Sequence, residues 1–275
     1  VGTESTWDTM IMSYQGGGMK TDGTHWMWGG NDNGELGLND AIQRSSPCQI
    51  PGDWSTSAGN NGIGLGLLGR IKTDGTLWVS GGGANGQLGN NESGPGTEYS
   101  SPVQIPGTTW NSIAVGYSVL ATKTDGTLWS WGDNGYGQLG ENSRTQRSSP
   151  VQIGTGTTWS NTDMGDNNSY AITTNGELWG MGRNYRGELG VGDQVARSSP
   201  VQVPGTTWKR IAAGQTQFCG AVKTDGTLWA WGYNHDGQLG QNEKDNEIHS
   251  PVQIPGTSWD DVNVNYFAIL ATQLA

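Results

Sequence analysis

Cysteine occurs only twice in the 275 residues, at Cys48 and Cys219, too few for a disulfide framework. Both fall in strand positions that hold valine in sister segments (Val103 for Cys48, Val119 for Cys219), so both read as small buried hydrophobes. Basic residues are scarce. The formal charge is −11, and no run of Lys or Arg is longer than Lys209-Arg210. Nucleic-acid binding needs a basic footprint, and an acidic surface disfavours anionic membranes. Long apolar runs are also missing, so neither a membrane-spanning helix nor a signal peptide is expected. Histidine appears three times, at His25, His235 and His249, with no Gly-x-Ser-x-Gly or His-Glu-x-x-His motif near it. These three read as surface or loop residues. No metal, cofactor or catalytic constellation is expected, and the chain is expected not to be an enzyme.

What is abundant is glycine, at 47 positions, and tryptophan, at 14. Both follow a repeat. The phrase Lys-Thr-Asp-Gly-Thr-Leu-Trp recurs with drift from Lys20, Lys72, Lys123, Thr173 and Lys223, at intervals of 52, 51, 50 and 50 residues. A period near fifty marks copies of one supersecondary unit. The copy from Thr109 to Pro150 reads as four short strands: Trp110–Val115, Val119–Thr124, Thr127–Trp131 and Pro150–Ile153. No stretch shows a helical period. Asp-Gly between two β-rich runs predicts a two-residue hairpin with positive φ at both residues, and Asn175-Gly176 substitutes for it in the fourth copy. Proline is placed at the head of the last strand.

Every tryptophan fits one of three positions. The Thr-Trp position takes Trp7, Trp54, Trp110, Trp159, Trp208 and Trp259. The Leu-Trp position takes Trp26, Trp78, Trp129, Trp179 and Trp229, and the Trp-Gly position takes Trp28, Trp131 and Trp231. Rings in register are packing residues. Asp133-Asn-Gly-Tyr-Gly-Gln lacks the closing glutamate of a calcium loop, and Gln138-Leu139-Gly140 reads as a structural clip.

The run Gly-Thr-Leu-Trp-Ser-Trp-Gly-Asp-Asn-Gly-Tyr-Gly-Gln-Leu-Gly (126–140) resembles the repeat of the regulator of chromosome condensation family. Sister copies surround Gly34–Gly37, Gly86–Gly89, Gly187–Gly190 and Gly237–Gly240, so the likeness covers essentially the whole chain. It implies an all-β fold, a β-propeller of four-stranded blades, usually seven. Here five full sets and one begun at Trp259 predict 22 strands. The expectation is about six blades with one incomplete, or a segment of a seven-bladed or longer array. The repeat units run 7–53, 54–109, 110–158, 159–207, 208–258 and, in part, 259–275, within a single domain 1–275. The chain opens at Val1, as expected of a processed chain or a slice of a longer one.

Family members are mostly binding platforms. They include an exchange factor for a small GTPase, a plant ultraviolet photoreceptor and bacterial secreted enzyme inhibitors. The photoreceptor's Gly-Trp-Arg phrase is absent, since Met27, Val79, Ser130, Gly180 and Ala230 follow the paired tryptophans. Recognition is expected in the variable segments Leu38–Gln43, Asn90–Tyr99, Glu141–Gln146, Val191–Ala196 and Gln241–Ile248. Candidate partner-binding residues are Arg44, Tyr99, Tyr136, Arg147, Tyr185, Arg197, Tyr233 and Lys244. Arg44, Arg147 and Arg197 precede Ser-Ser-Pro and either bind loop carbonyls or ring an acidic partner. Tyr14, Tyr99, Tyr136, Tyr185 and Tyr233 lie off the repeat register, and the last three are read as sharing one loop position. The expected function is a protein–protein interaction propeller on an extracellular or virion surface, alone or in a homo-oligomer. The alternatives are a surface-glycan adhesin and a secreted enzyme inhibitor.

Overall fold

The computed structural model describes residues 6–12, 15–56, 61–64, 66–214, 217–265 and 268–273. Among these there is no helix. The 22 strands form five four-stranded antiparallel sheets and one pair. The first sheet is β1 (Trp7–Met12), β2 (Gln15–Lys20), β3 (His25–Gly29) and β4 (Arg44–Ile50). The second is β5 (Asn61–Gly64), β6 (Leu67–Ile71), β7 (Leu77–Gly82) and β8 (Glu98–Gln104). The third is β9 (Trp110–Val115), β10 (Ser118–Lys123), β11 (Leu128–Gly132) and β12 (Arg147–Gln152). The fourth is β13 (Trp159–Met164), β14 (Asn168–Thr173), β15 (Leu178–Gly182) and β16 (Arg197–Gln202). The fifth is β17 (Trp208–Ala213), β18 (Phe218–Lys223), β19 (Leu228–Asn234) and β20 (Asn246–Ile254), followed by the pair β21 (Trp259–Val264) and β22 (Ile269–Gln273). In every sheet the strands neighbour one another in chain order.

The chain divides into two compact units. One holds Val1–Asp125, Trp129–Asp133 and Gln146–Val151, and the other Gly126–Leu128, Asn134–Thr145 and Gln152–Ala275. In the first, Leu77, Val79, Leu88 and Ile105 pack with Trp110, Ile113, Val119 and Trp131. In the second, Tyr170, Ile172, Leu178 and Leu189 pack with Trp208, Ile211, Cys219 and Trp231. Each core is therefore a seam between the faces of consecutive sheets. A fully buried indole removes about 200 Å² from water there.

The repeated phrase is a hairpin device, and its geometry differs from the two-residue turn read in the sequence. In the first copy Gly23 N donates to Lys20 O and Lys20 N to Thr24 O. Only the glycine has positive φ, +82° at Gly23 and +76° at Gly176 and Gly226. This is a type I turn closed by a left-handed glycine, a three-residue loop. Asp prefers the ordinary turn conformation here because its carboxylate is engaged. Asp22 Oδ1 accepts from Thr24 N and Thr24 Oγ1, and Trp26 Nε1 donates to that hydroxyl at 2.9 Å. The lysine lies over two rings: Lys223 Nζ stands 4.5 Å from the Trp208 centroid and 4.3 Å from Trp229. The lysine, aspartate, second threonine and tryptophan of the phrase thus each have a partner in or beside the hairpin.

Three further readings change. Proline sits inside the outer strand, not at its head. Pro200 falls where the β15–β16 register shifts between Gly180 and Gly182, on an edge strand whose ladder needs no donor there. The Leu-Trp rings are half-buried, those of Trp26, Trp78, Trp129 and Trp229 beneath a lysine, whereas Trp131 and Trp231 are fully buried. Cys219 is buried, and burial pushes its thiol up; Cys48, on the outer strand β4, is only half-buried.

Candidate partner-binding surface

After the third strand of four of the five four-stranded sheets comes a loop built on one buried asparagine; the second sheet has Gly83 there. Asn184 Nδ2 donates to the carbonyls of Asp193 (2.9 Å) and Val195 (3.2 Å), while its Oδ1 accepts from Leu189 N at 2.8 Å. Asn31, Asn134 and Asn234 make matching bonds in their own loops. The Gln or Glu that follows closes the turn. Gln138 Oε1 accepts from Tyr136 N, and Glu188 Oε2 from Arg186 N. The clip reading of Gln138 is thereby structural fact. Glu188 is a carboxylate in a glutamine position; Arg183 Nε at 3.1 Å balances its charge. Among the described residues no three His, Cys, Asp or Glu side chains gather as a metal site would require.

The clips leave the loop tips outward. In the second unit Tyr136 and Tyr185 meet edge to face, centroids 5.8 Å apart, with the Arg183 guanidinium 5.8 Å over Tyr136. Tyr233 stacks on His235 at 4.5 Å, and Arg186 lies 5.7 Å over Tyr233. Arg186 is held by Glu247 at 2.5 Å, and that carboxylate raises the guanidinium's pKa. Tyr185 is 53% exposed. The three tyrosines do not share one position. Relative to the clip asparagine, Tyr136 stands two residues after Asn134, Tyr185 one after Asn184, and Tyr233 one before Asn234. They converge because the loops, not the letters, are in register. Beside them, Glu243, Glu247, Ile248, His249 and Val252 line an open groove of about 500 Å³ along β20.

The other candidates part company. Arg44 Nη1 donates to Ile42 O at 2.7 Å and Nη2 to Asp40 at 2.6 Å. Arg197 repeats this with Val195 O and Asp193. Both therefore fasten their own loops through a carbonyl and a carboxylate. Arg147 is half-buried at the start of β12. Tyr99 donates to Glu92 at 2.7 Å, which raises its phenol pKa. Lys244 is exposed, 3.7 Å from Asp245. Tyr14 lies outside the described residues. Arg183 and Arg186 went unnoticed in the sequence, although Arg186 adjoins Tyr185 in the same loop, and His235 was read only as a surface or loop residue. His25 is not at the surface. It occupies the buried leucine position of its hairpin, 1% exposed, and burial pushes its imidazole down to about 3.

Clipped four-stranded sheets in tandem, with recognition-type side chains at their loop tips, define a repeat propeller of the binding-platform class. The regulator of chromosome condensation (RCC1) repeat matches residues 22–58, 125–172, 175–220 and 225–263, more than half of the chain, and a second profile of the same repeat matches 160–188. The chain belongs to the RCC1 repeat family. It is 30% identical over 163 residues to the RCC1 domain-containing protein RUG3, mitochondrial, of Arabidopsis thaliana, covering 54% of this chain and 36% of RUG3. The chain thus spans about a third of that relative's length. The crystal structure of human WBSCR16 superposes with a TM-score of 0.81 at 19% identity, over 95% of this chain and 71% of the other. Prp20p of Saccharomyces cerevisiae does so at 0.75 and 19%, over 95% and 67%. At that identity these two establish the fold, a β-propeller, and nothing finer. The expected extracellular or virion-surface location is corrected by the curated relative: RUG3 is named as mitochondrial, a location inside the cell.

Proposed function

We propose that this chain is a non-enzymatic protein-recognition propeller that holds its partner on the loop tips carrying Tyr136, Tyr185, Arg186, Tyr233 and His235. The observation that carries the reading is the exposed Tyr185 packed edge-on against Tyr136, in a cluster of arginines and aromatics. Tyr and Arg dominate binding energy at protein interfaces because they bury large area at small entropy cost. The arginines here are pre-ordered by Glu188 and Glu247, so little rotamer freedom remains to be lost on binding. Prp20p binds proteins, Gsp1p and histones, which supports a protein as the class of partner.

The test is a capture experiment with paired chains. Wild type is expected to retain a protein partner that the Tyr185→Ala/Arg186→Ala variant releases at least about tenfold faster, both chains melting at the same temperature. Equal retention by the two chains would reject this surface.

A further inference from the structure

The second sheet departs from its sisters at two positions set diagonally on one face, since Arg70 pairs with Trp78 and Ser80 with Leu68. Where the other third strands carry Trp28, Trp131, Met181 or Trp231, β7 carries Ser80. Where the other second strands carry Gly18, Ala121, Ala171 or Ala221, β6 carries Arg70. The strand registers fix the equivalence: Arg70 pairs with Trp78 as Ala171 does with Trp179 and Ala221 with Trp229. The large residue has changed strands. Trp131 lies 5.8 Å from Trp110, and the Arg70 guanidinium lies 5.7 Å from Trp54, the counterpart of Trp110. The guanidinium therefore stands in the place of an indole.

An indole there is satisfied, since Trp131 Nε1 donates to Gln87 O at 2.9 Å. The equivalent carbonyl in the first sheet, Glu35 O, takes Ser80 Oγ instead, at 3.2 Å. Arg70 is 2% exposed, and among the described residues its Nε and Nη1 have no hydrogen-bond partner. Burial pushes the guanidinium down to about 9, which still leaves it cationic at neutral pH. His25 nearby is neutral and adds no counter-charge. The face of Trp54 offers a cation–π contact, but it cannot satisfy the N–H donors. A cavity of about 10 Å³ adjoins the group, lined by Arg70, Trp54, Ser80, Gly37 and Pro102. That is room for one particle of about water's size. A carboxylate side chain or a phosphate does not fit.

We propose that Arg70 and its cavity form an internal site for a single monoatomic anion, chloride under cellular conditions, held between the first and second sheets. A water molecule would satisfy the donors and leave the charge buried without a counter-ion, whereas a halide answers both, and buried charges are paired. The ion would act as a structural rivet where the indole is missing.

The experiment is thermal unfolding of the intact chain titrated with chloride, at constant ionic strength made up with gluconate, which is too large for the cavity. Wild type is expected to gain a saturable rise of roughly 2–4 °C. Arg70→Met is expected to lose that rise. Arg70→Ala/Ser80→Trp restores the sister arrangement, so it reports even if the first variant fails to fold; it is expected to be stable and insensitive to chloride. A bromide-soaked crystal is expected to show anomalous density beside Arg70. Equal chloride dependence in wild type and the double variant, or a water in place of bromide, would overturn the proposal.

Discussion

The Trp131 indole nitrogen donates to the Gln87 carbonyl 2.9 Å away, so a ring of the third sheet is bolted to the clip of the second. The same bond joins Trp231 to Glu188 O at 2.7 Å. These tryptophans therefore bury their area and spend their only donor at one seam.

Trp131→Ala is expected to destabilise by about 3–5 kcal/mol, the range for a fully buried aromatic. Trp129→Ala, which removes a half-buried ring beneath Lys123, is expected to cost about 1–2 kcal/mol. Urea unfolding of the two variants side by side checks the order. Similar losses from both would contradict the assignment of the seam to Trp131.

Asn184 ties three backbone groups of one loop through both ends of its amide. Asn184→Ala leaves those buried groups unpaired and is expected to cost about 1–3 kcal/mol. Asn184→Asp is expected to be no better, because a carboxylate cannot donate to the Asp193 and Val195 carbonyls. Amide exchange across residues 191–197 should quicken in both variants. Wild-type exchange rates would show that the clip does not hold the loop.

Acid should act through His25. Its imidazole, ordinarily near 6.5, is held at about 3 by burial, so the unfolded chain takes up the proton first. The stability tied to neutral His25 is complete above about pH 6.5 and is lost as pH falls toward 3. His25→Leu restores the residue found at Leu77 and Leu128, and it is expected to flatten the stability profile between those limits. An unchanged slope would count against a buried neutral imidazole.

Asp163 has the opposite sign. Burial pushes its carboxyl up to about 7, although Ala213 N donates to it at 2.7 Å. The folded chain then holds a proton that the unfolded chain has released, so this contribution is present in acid and is lost as pH rises through about 7. Asp163→Asn is expected to remove that loss between about pH 4 and 7. A variant whose profile overlays wild type would refute a protonated Asp163.

The repeat made most of the fold legible in advance. Fourteen tryptophans in three positions and a phrase every fifty residues marked a repeat of short strands, the family resemblance implied the propeller, and the strand ends in the third copy fall within a few residues of those read from the sequence. The turn was misread because Asp-Gly names the two residues but not the loop length; the Asp22–Thr24–Trp26 relay selects three. The candidate surface was half legible. Tyrosines off the register stood out, but Arg183 and Arg186 look like ordinary loop charges until the carboxylates of Glu188 and Glu247 are seen to aim them. Arg44 and Arg197 show the converse, for a recurring arginine was the repeat's own fastening. Arg70 hid for a different reason. Its meaning lies in the loss of a tryptophan on the neighbouring strand, and only the register brings the two together.

The central claim is that the sheets are scaffold and the tyrosine–arginine loop tips recognise a protein. Hydrogen exchange of the chain with its captured partner bound tests it most directly. Slowed exchange confined to residues 134–138, 183–188 and 233–236 is the expected result. Protection absent there and found along the outer strands β4, β8 or β16 would contradict it.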